Sequence, residues 1–362
     1  RINYSIVPML SAKLNYFQDY INKINLGFFT FNYENMKINK EFSAKFSAYE
    51  YRRVMTTLIE HEYGRNIIKN LALEEEQTNK FLERHEITER MRAKMIDWMI
   101  EVLGSYYCDE NTFFLSINIM DRYFKYTTEI LKPDDLHLIG IASMFIASKF
   151  YDIFPIKLKM MAEKVSHGKF SAEQIKSVEE KIVKCLNYMV YKSTIYEFIN
   201  LYIEELFFFI ENNFHIYDDS LSNYIMNIYK SSNVKLDFLY YEKNKLTKNY
   251  TVKMISLLRK ILLYISKMIC YDYSLIGIKP SLLAASAVLV SIKICEEINN
   301  ESYINTYIMN KLLETSGYIE LEIIAISQKV LHNAQNYDVI FNGLDNLKKR
   351  HFDFTIDDID IK

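Results

Sequence analysis

Helix breakers are scarce in this sequence, which holds only four prolines and eight glycines in 362 residues. So few interruptions favour long helices joined by short loops. Cysteine is sparse too. Cys108, Cys185, Cys270 and Cys295 lie far apart and form no Cys-x-x-Cys pair, which argues against a structural zinc site and for reduced, buried thiols in a cytoplasmic or nuclear protein. There is no excess of either charge: 44 basic residues face 46 acidic ones, for a net charge of −2. Non-specific nucleic-acid binding needs a basic face to displace counterions, so nucleic acid is not an expected partner. Apolar stretches such as Leu282–Cys295 are too short and interrupted to cross a bilayer, so no membrane contact is expected either. No signal peptide is visible, and because position 1 is Arg rather than Met, further sequence upstream is expected. Enzyme motifs are missing as well: no Gly-rich phosphate loop, no His-Glu-x-x-His and no Gly-x-Ser-x-Gly occurs. His61-Glu62 and His85-Glu86 lack partners for metal or acid–base chemistry and read as surface residues. Neither a catalytic residue nor a metal or other cofactor is expected.

What the chain does have is apolar mass. Half of its residues are hydrophobic and a quarter are charged, enough for a large core and about two domains. Leu14, Phe17, Ile21 and Ile24 recur at helical spacing, and a second helix is expected over about 46–73, ending in the charged run Glu74–Gln77. From Met91 the pattern sharpens. Met91–Leu103 is apolar on nearly all sides, as in a helix central to its domain. Asp109–Thr112 offers caps for a helix carrying Phe113, Ile117, Met120 and Phe124. Pro133, Asp134 and Asp135 open a third helix, to Phe150, since proline suits a first turn and early carboxylates complement the helix dipole. A fourth covers about Lys157–Val165. Ser171 with Gln174 forms a capping box for a fifth, packed through Ile175, Val178, Ile182 and Leu186.

The second half repeats part of this arrangement. Gly140, Ser143 and Ala147 form a stripe of small residues in the third helix. Ala284, Ala287 and Ser291 follow at a constant offset of 144 residues, with Lys293 at the same offset from Lys149. Between the halves, about Glu211–Lys253 is rich in Asn, Lys and Tyr and reads as an insertion. The expected organisation is an N-terminal extension over 1–60, a first helical domain over 61–194 and a second over 195–355.

The segment Met91-Arg92-Ala93-Lys94-Met95-Ile96-Asp97-Trp98-Met99-Ile100-Glu101-Val102 closely resembles the opening helix of the cyclin box in cell-cycle cyclins of the A and B type. The resemblance continues through Asn118–Phe124, Leu136–Gly140, Ile146–Phe150 and Val178–Ile182, in the family's order. Pro280–Ala287 resembles the matching helix of the second box. The resemblance implies an all-α fold of two tandem five-helix boxes preceded by an N-terminal helix, and a non-enzymatic activator of a cyclin-dependent protein kinase. It implies that Arg92 and Asp121 form a buried ion pair tying the first two helices and that Leu138 is a core leucine. By the same resemblance Lys149 and Glu179, with Phe150 and Ile182 nearby, face the kinase beside its mobile regulatory helix.

Met91, Met95, Trp98, Glu101 and Leu136 fall where many cyclins expose a shallow groove that docks Arg-x-Leu peptides of substrates and inhibitors. Two residues depart from the family pattern: Lys94 replaces an apolar residue, and His137 stands where glutamine is common. A lysine on the groove floor repels an incoming arginine, so weaker or differently selective docking is expected. A transcription-type cyclin or a cyclin-fold transcription factor is the alternative within the fold, and a helical scaffold without a kinase the alternative outside it. The expected location is nucleus and cytoplasm. Arg259-Lys260-Ile261-Leu262 matches the Arg-x-x-Leu degradation pattern but lies in an expected helix, where its role is structural.

Overall fold

The computed structural model describes residues 66–75, 80–213, 257–299 and 306–351. The expected helix near 14–24, most of that expected over 46–73 and nearly all of the expected insertion lie outside them. Among the described residues all regular structure is helical. A first helix, α1, covers 66–73. Five helices follow: α2 (Glu89–Ser105), α3 (Glu110–Tyr126), α4 (Pro133–Tyr151), the short α5 and α6 (Ala172–Cys185). The α5 segment is one α-helical turn, Leu158–Met160, running on as a π-helical turn over Met161–Val165. A second set comprises α7 (Ile195–Asn213), α8 (257–271), α9 (Pro280–Asn299), α10 (Thr306–Ser316) and α11 (Glu320–Gln335). After a helical turn at Tyr337–Ile340, a last short helix, α12 (Asn346–His351), returns to α2.

Local chemistry sets these boundaries. The Thr88 hydroxyl accepts from the Met91 amide at 3.2 Å, and the Asp109 carboxylate from the Asn111 amide at 2.8 Å, which satisfies donors that an isolated helix start leaves open. Ser171 and Gln174 form the expected reciprocal cap of α6, at 3.2 and 2.8 Å. Pro133 occupies the first turn of α4, where Asp135 accepts from the Lys132 amide at 2.9 Å.

The hub of the first set is α4, packed against α2, α3 and α6; α9 takes the same place in the second, against α7, α10 and α11. Their small stripes are buried: Gly140, Ser143 and Ala147 in one, Ala284, Ala287 and Ser291 in the other. At Gly140 a Cβ would sit 1.9 Å from the Met95 terminal methyl, so any larger residue would require that thioether to move. Met95 thus lies directly on the hub helix.

A polar web joins the two sets. Arg92, 1% exposed, donates through Nε and Nη2 to the two carboxylate oxygens of Asp121 at 2.7 and 2.6 Å, and through Nη1 to the Cys270 carbonyl of α8 at 2.8 Å. The Tyr273 hydroxyl accepts from the amides of Phe81 and Leu82, at 2.6 and 2.8 Å. Lys267 of α8 reaches Glu110 of α3 at 2.6 Å. Asp97, buried in α2, accepts from the Tyr271 hydroxyl at 2.6 Å and from the Asn346 amide nitrogens at 3.1 and 3.0 Å, which seats α12. Arg350 of α12 donates to the Glu101 carbonyl at 3.0 Å.

Arg92→Ala leaves the Asp121 carboxylate buried without its cation, and the expected loss is about 3–5 kcal/mol of unfolding free energy, read by urea denaturation. A loss below about 1 kcal/mol contradicts a buried pair. A second expectation concerns acid. Burial, reinforced by Lys267 at 3.1 Å and by Arg350, pushes the His351 pKa from its usual 6.5 down to about 4. The unfolded chain then takes up this proton before the folded chain does. The stabilisation from His351 is therefore complete above about pH 6.5 and is lost as pH falls toward 4. Melting temperature should decline over that window, and His351→Gln should flatten the part due to this group.

Candidate functional site

Two surface features stand out on the first helical set, and both are built on α4. At its C-terminal end, Lys149 lies in the last turn and its ammonium pairs with Glu179 of α6. The same nitrogen sits 4.2 Å from the centre of the Phe145 ring, which holds the side chain along the helix. The pair is only partly buried, so its own contribution to stability is small, ~0–1 kcal/mol. Beside it the surface is apolar. Phe150 is 52% exposed and stacks on Tyr191 at 5.9 Å, while Ile153 and Phe154 of the following loop are 82% and 90% exposed. Isolated exposed apolar residues are ordinary, but here three large ones fall within five positions of Lys149 in sequence and are left in water. Behind them, the Tyr151 hydroxyl and the Thr194 amide donate to Glu197 at 2.6 and 3.0 Å, fixing the base of the edge.

Ile182 does not belong to that surface. It is fully buried, with Ile175, so its place is in the core and the expectation of a partner contact is corrected. Ile175 and Ile182 are seven residues apart and form the inward stripe of α6, whereas Glu179 lies on its flank. Leu138 is half-buried and packs against the core, whose buried residues in that turn are Leu136 and Ile139.

The second feature lies toward the start of α4. Trp98, half-buried, packs edge-on against His137 at 4.8 Å, and His137 edge-on against Phe170 at 5.5 Å. Met95 and Leu136 are buried beneath, Met91 is half-buried, and Glu101 is exposed one turn along from Trp98. Lys94 is exposed one turn before Trp98. Burial, followed by the nearby Lys169 ammonium, lowers the His137 pKa and disfavours its charged form.

Each set thus has five helices, one of them a buried hub, and the first set adds an Arg92–Asp121 pair between its first two helices and a lysine–glutamate pair at the hub's end. Residues 66–191 match the family described as Cyclin, N-terminal domain, and residues 235–342 match Cyclin, C-terminal domain. The chain belongs to the cyclin family. Among its relatives, G1/S-specific cyclin-E1 of Rattus norvegicus is 35% identical over 146 residues, which is 39% of this chain and 35% of that protein. G2/mitotic-specific cyclin-A of Patella vulgata is 32% identical over 145 residues, 39% of this chain and 33% of that one. The matched stretch thus spans about a third of the length of these relatives, which are cell-cycle cyclins of both G1/S and G2/mitotic kinds. The X-ray structure of a viral cyclin from herpesvirus saimiri shares the fold, with a TM-score of 0.51 over 74% of this chain and 96% of that one at 16% identity.

Within this cyclin, sequence reasoning missed the residues that close the second set of helices onto the first: Asp97, Lys267, Tyr271, Tyr273, Asn346 and Arg350. Only Asp97 carried a signal, as a carboxylate inside an otherwise apolar helix. Among the described residues no helix is long and apolar enough to cross a membrane, and no His, Cys, Asp and Glu cluster could hold a metal ion. Arg259-Lys260-Ile261-Leu262 falls within α8 with Ile261 and Leu262 buried.

The contrast between edge and core is testable. Ile182→Ala should cost about 2–5 kcal/mol, as core truncations do, whereas Phe150→Ala should change stability by less than ~0.5 kcal/mol. Comparable losses in the two variants, by denaturant titration, contradict this division.

Proposed function

We propose that this cyclin is the non-catalytic regulatory subunit of a cyclin-dependent protein kinase in cell-cycle control, of the mitotic type, acting in nucleus and cytoplasm. The observation that carries the reading is the Lys149–Glu179 pair at the end of the hub helix, flanked by exposed Phe150 and Phe154. A protein kinase positions ATP phosphates only when its strand lysine meets the glutamate of its regulatory helix. A partner that packs tightly against the inward position of that helix shifts the population toward it. Driving a two-state equilibrium almost to completion takes about 5.5 kcal/mol of differential affinity. An extensive apolar interface of roughly 2,000 Å² is of the size that supplies it.

Each component has a role on that edge. Phe150 and Phe154 supply apolar area, and the ion pair supplies direction, because its unused donors and acceptors can bond the backbone of the regulatory helix. Burial on binding strengthens those bonds relative to water. The Trp98–His137 groove serves as a separate docking surface for peptides of substrates or inhibitors, with Arg-x-Leu peptides as the family's type. No membrane or nucleic-acid partner is part of this proposed role, and the phosphoryl transfer itself stays with the kinase.

Lys149→Glu places two carboxylates together at this edge without touching the core. Kinase activation, read as histone phosphorylation by the reconstituted pair, is expected to fall at least a hundredfold, with the melting temperature nearly unchanged. Full activation by the Lys149→Glu protein sinks the assignment of this edge.

A further inference from the structure

We propose that the cavity between the two helical sets binds a compact, uncharged molecule made of one apolar ring bearing an amide. The cavity has a volume of about 150 Å³, and Glu74 and Glu75, just past α1, lie along it. The first set contributes Phe114 and Ile117 of α3. The second contributes Ile195 of α7, Ile269 of α8, Leu275, and Leu283 of α9, and all six side chains are buried. A cavity of this size with aliphatic and aromatic walls takes a benzene-sized ring. A ligand there touches both sets at once.

The charged groups around the cavity are already engaged. Arg92 is paired with Asp121 at 2.6 Å, and the terminal nitrogens of Arg122 donate to the Met189 and Val190 carbonyls at 2.6 and 2.9 Å. Glu75 accepts from the Ser281 amide and hydroxyl at 2.6 and 2.7 Å, and Asp272 accepts from the Asn333 side chain at 2.7 Å. A charged ligand would lose its hydration on entry and meet no uncommitted counter-charge, so the site selects a neutral one.

Two neutral polar groups are not engaged. Asn118 Oδ1 of α3 and Thr194 Oγ are buried without a hydrogen-bond partner, and both residues line the cavity. Thr194, 5% exposed, immediately precedes α7, where a hydroxyl ordinarily accepts from an amide of the first turn. Here only the reverse half of that cap forms, with Glu197 accepting from the Thr194 amide at 3.0 Å. Buried polar groups left unpaired weaken a fold, so two of them beside one cavity point to a partner that arrives from outside. Both oxygens are covered, and rotation about a Cα–Cβ bond would bring each to a ligand. An amide supplies what the two lack: its N–H donates to Asn118 Oδ1, and its carbonyl accepts from the Thr194 hydroxyl.

The test is an NMR titration of the full chain with benzamide, toluene and benzoate, rings of similar size that differ in their polar group. Benzamide is expected to bind with a dissociation constant of about 1 mM or tighter, as suits a ligand of so few atoms. Toluene leaves the two oxygens unpaired and benzoate buries a charge, so each should bind at least about fivefold more weakly. Thr194→Val and Asn118→Leu keep the size of the side chain and remove the unpaired group. Each should weaken benzamide at least about threefold without weakening toluene, and raise the melting temperature of the ligand-free protein by about 1–3 °C. The proposal is overturned if benzamide shows no binding up to about 10 mM, or if toluene or benzoate binds as tightly. It is equally overturned if both variants bind benzamide as the unaltered chain does. A lower melting temperature in both variants means that ordered water already pairs the two groups, and that result overturns it too. If a variant fails to fold, the comparison of the three ligands on the unaltered chain decides alone.

Discussion

The Arg92 guanidinium holds together the two halves of this protein. It lies in the first turns of α2, takes both oxygens of Asp121 from α3 and donates its remaining arm to the Cys270 carbonyl near the end of α8. Three helices from two repeats therefore share one planar cation with a fixed fork of donors. A cation at a helix C-terminus also complements the dipole of α8. Removing so buried a charge from water is costly, and the attraction to Asp121 roughly offsets the cost rather than exceeding it. What the arrangement supplies is uniqueness: only one placement of α8 against α2 and α3 satisfies all these bonds. Lys267 with Glu110, Tyr273 with the amides of Phe81 and Leu82, and Asp97 with Tyr271 and Asn346 each repeat that restriction nearby.

The two repeats share a core but not a surface. Aligned on the starts of α6 and α11, Ile175 and Ile182 correspond to Ile323 and Val330, and all four are fully buried. Glu179, however, corresponds to Ser327, which is buried and donates to the Ser286 carbonyl at 3.3 Å. Lys293, the counterpart of Lys149, is paired within its own helix to Glu296 at 3.1 Å. The seam that in the first repeat ends in a partly exposed ion pair is closed in the second by serines against backbone. The two sets thus share the packing problem and its solution, while the solvent edge of α4 differs from that of α9.

How much of this could be read from residues alone depends on the range of the interactions. Helix starts are local, and Ser171 with Gln174, Asp109 and Pro133 announce them within four residues. The hub helices were legible through their small stripes, because close approach demands small side chains at helical spacing. Ile182 was misassigned for a geometric reason: the three-residue step from Glu179 turns by about 60° on a helix, enough to carry a side chain from solvent to core. The closure of α12 onto α2 was not legible. Asp97 and Asn346 stand 249 residues apart, and no local pattern encodes which of many polar residues will meet a buried carboxylate. The π-helical turn in α5 also escaped, since its apolar residues fit an ordinary helix equally well.

The course of α4 couples the two candidate surfaces mechanically. His137 lies in its first turns and Lys149 in its last, and at about 1.5 Å per residue they are separated by roughly 18 Å along one buried rod. The rod cannot bend cheaply, because α2, α3 and α6 pack around it. A kinase held at Lys149 and a peptide held at Trp98 and His137 would therefore sit at a fixed separation on a common ruler. In the proposed role, binding at the groove would raise the local concentration of a tethered substrate at the kinase without altering either site's own contacts, and the hub helix would fix the distance between the two.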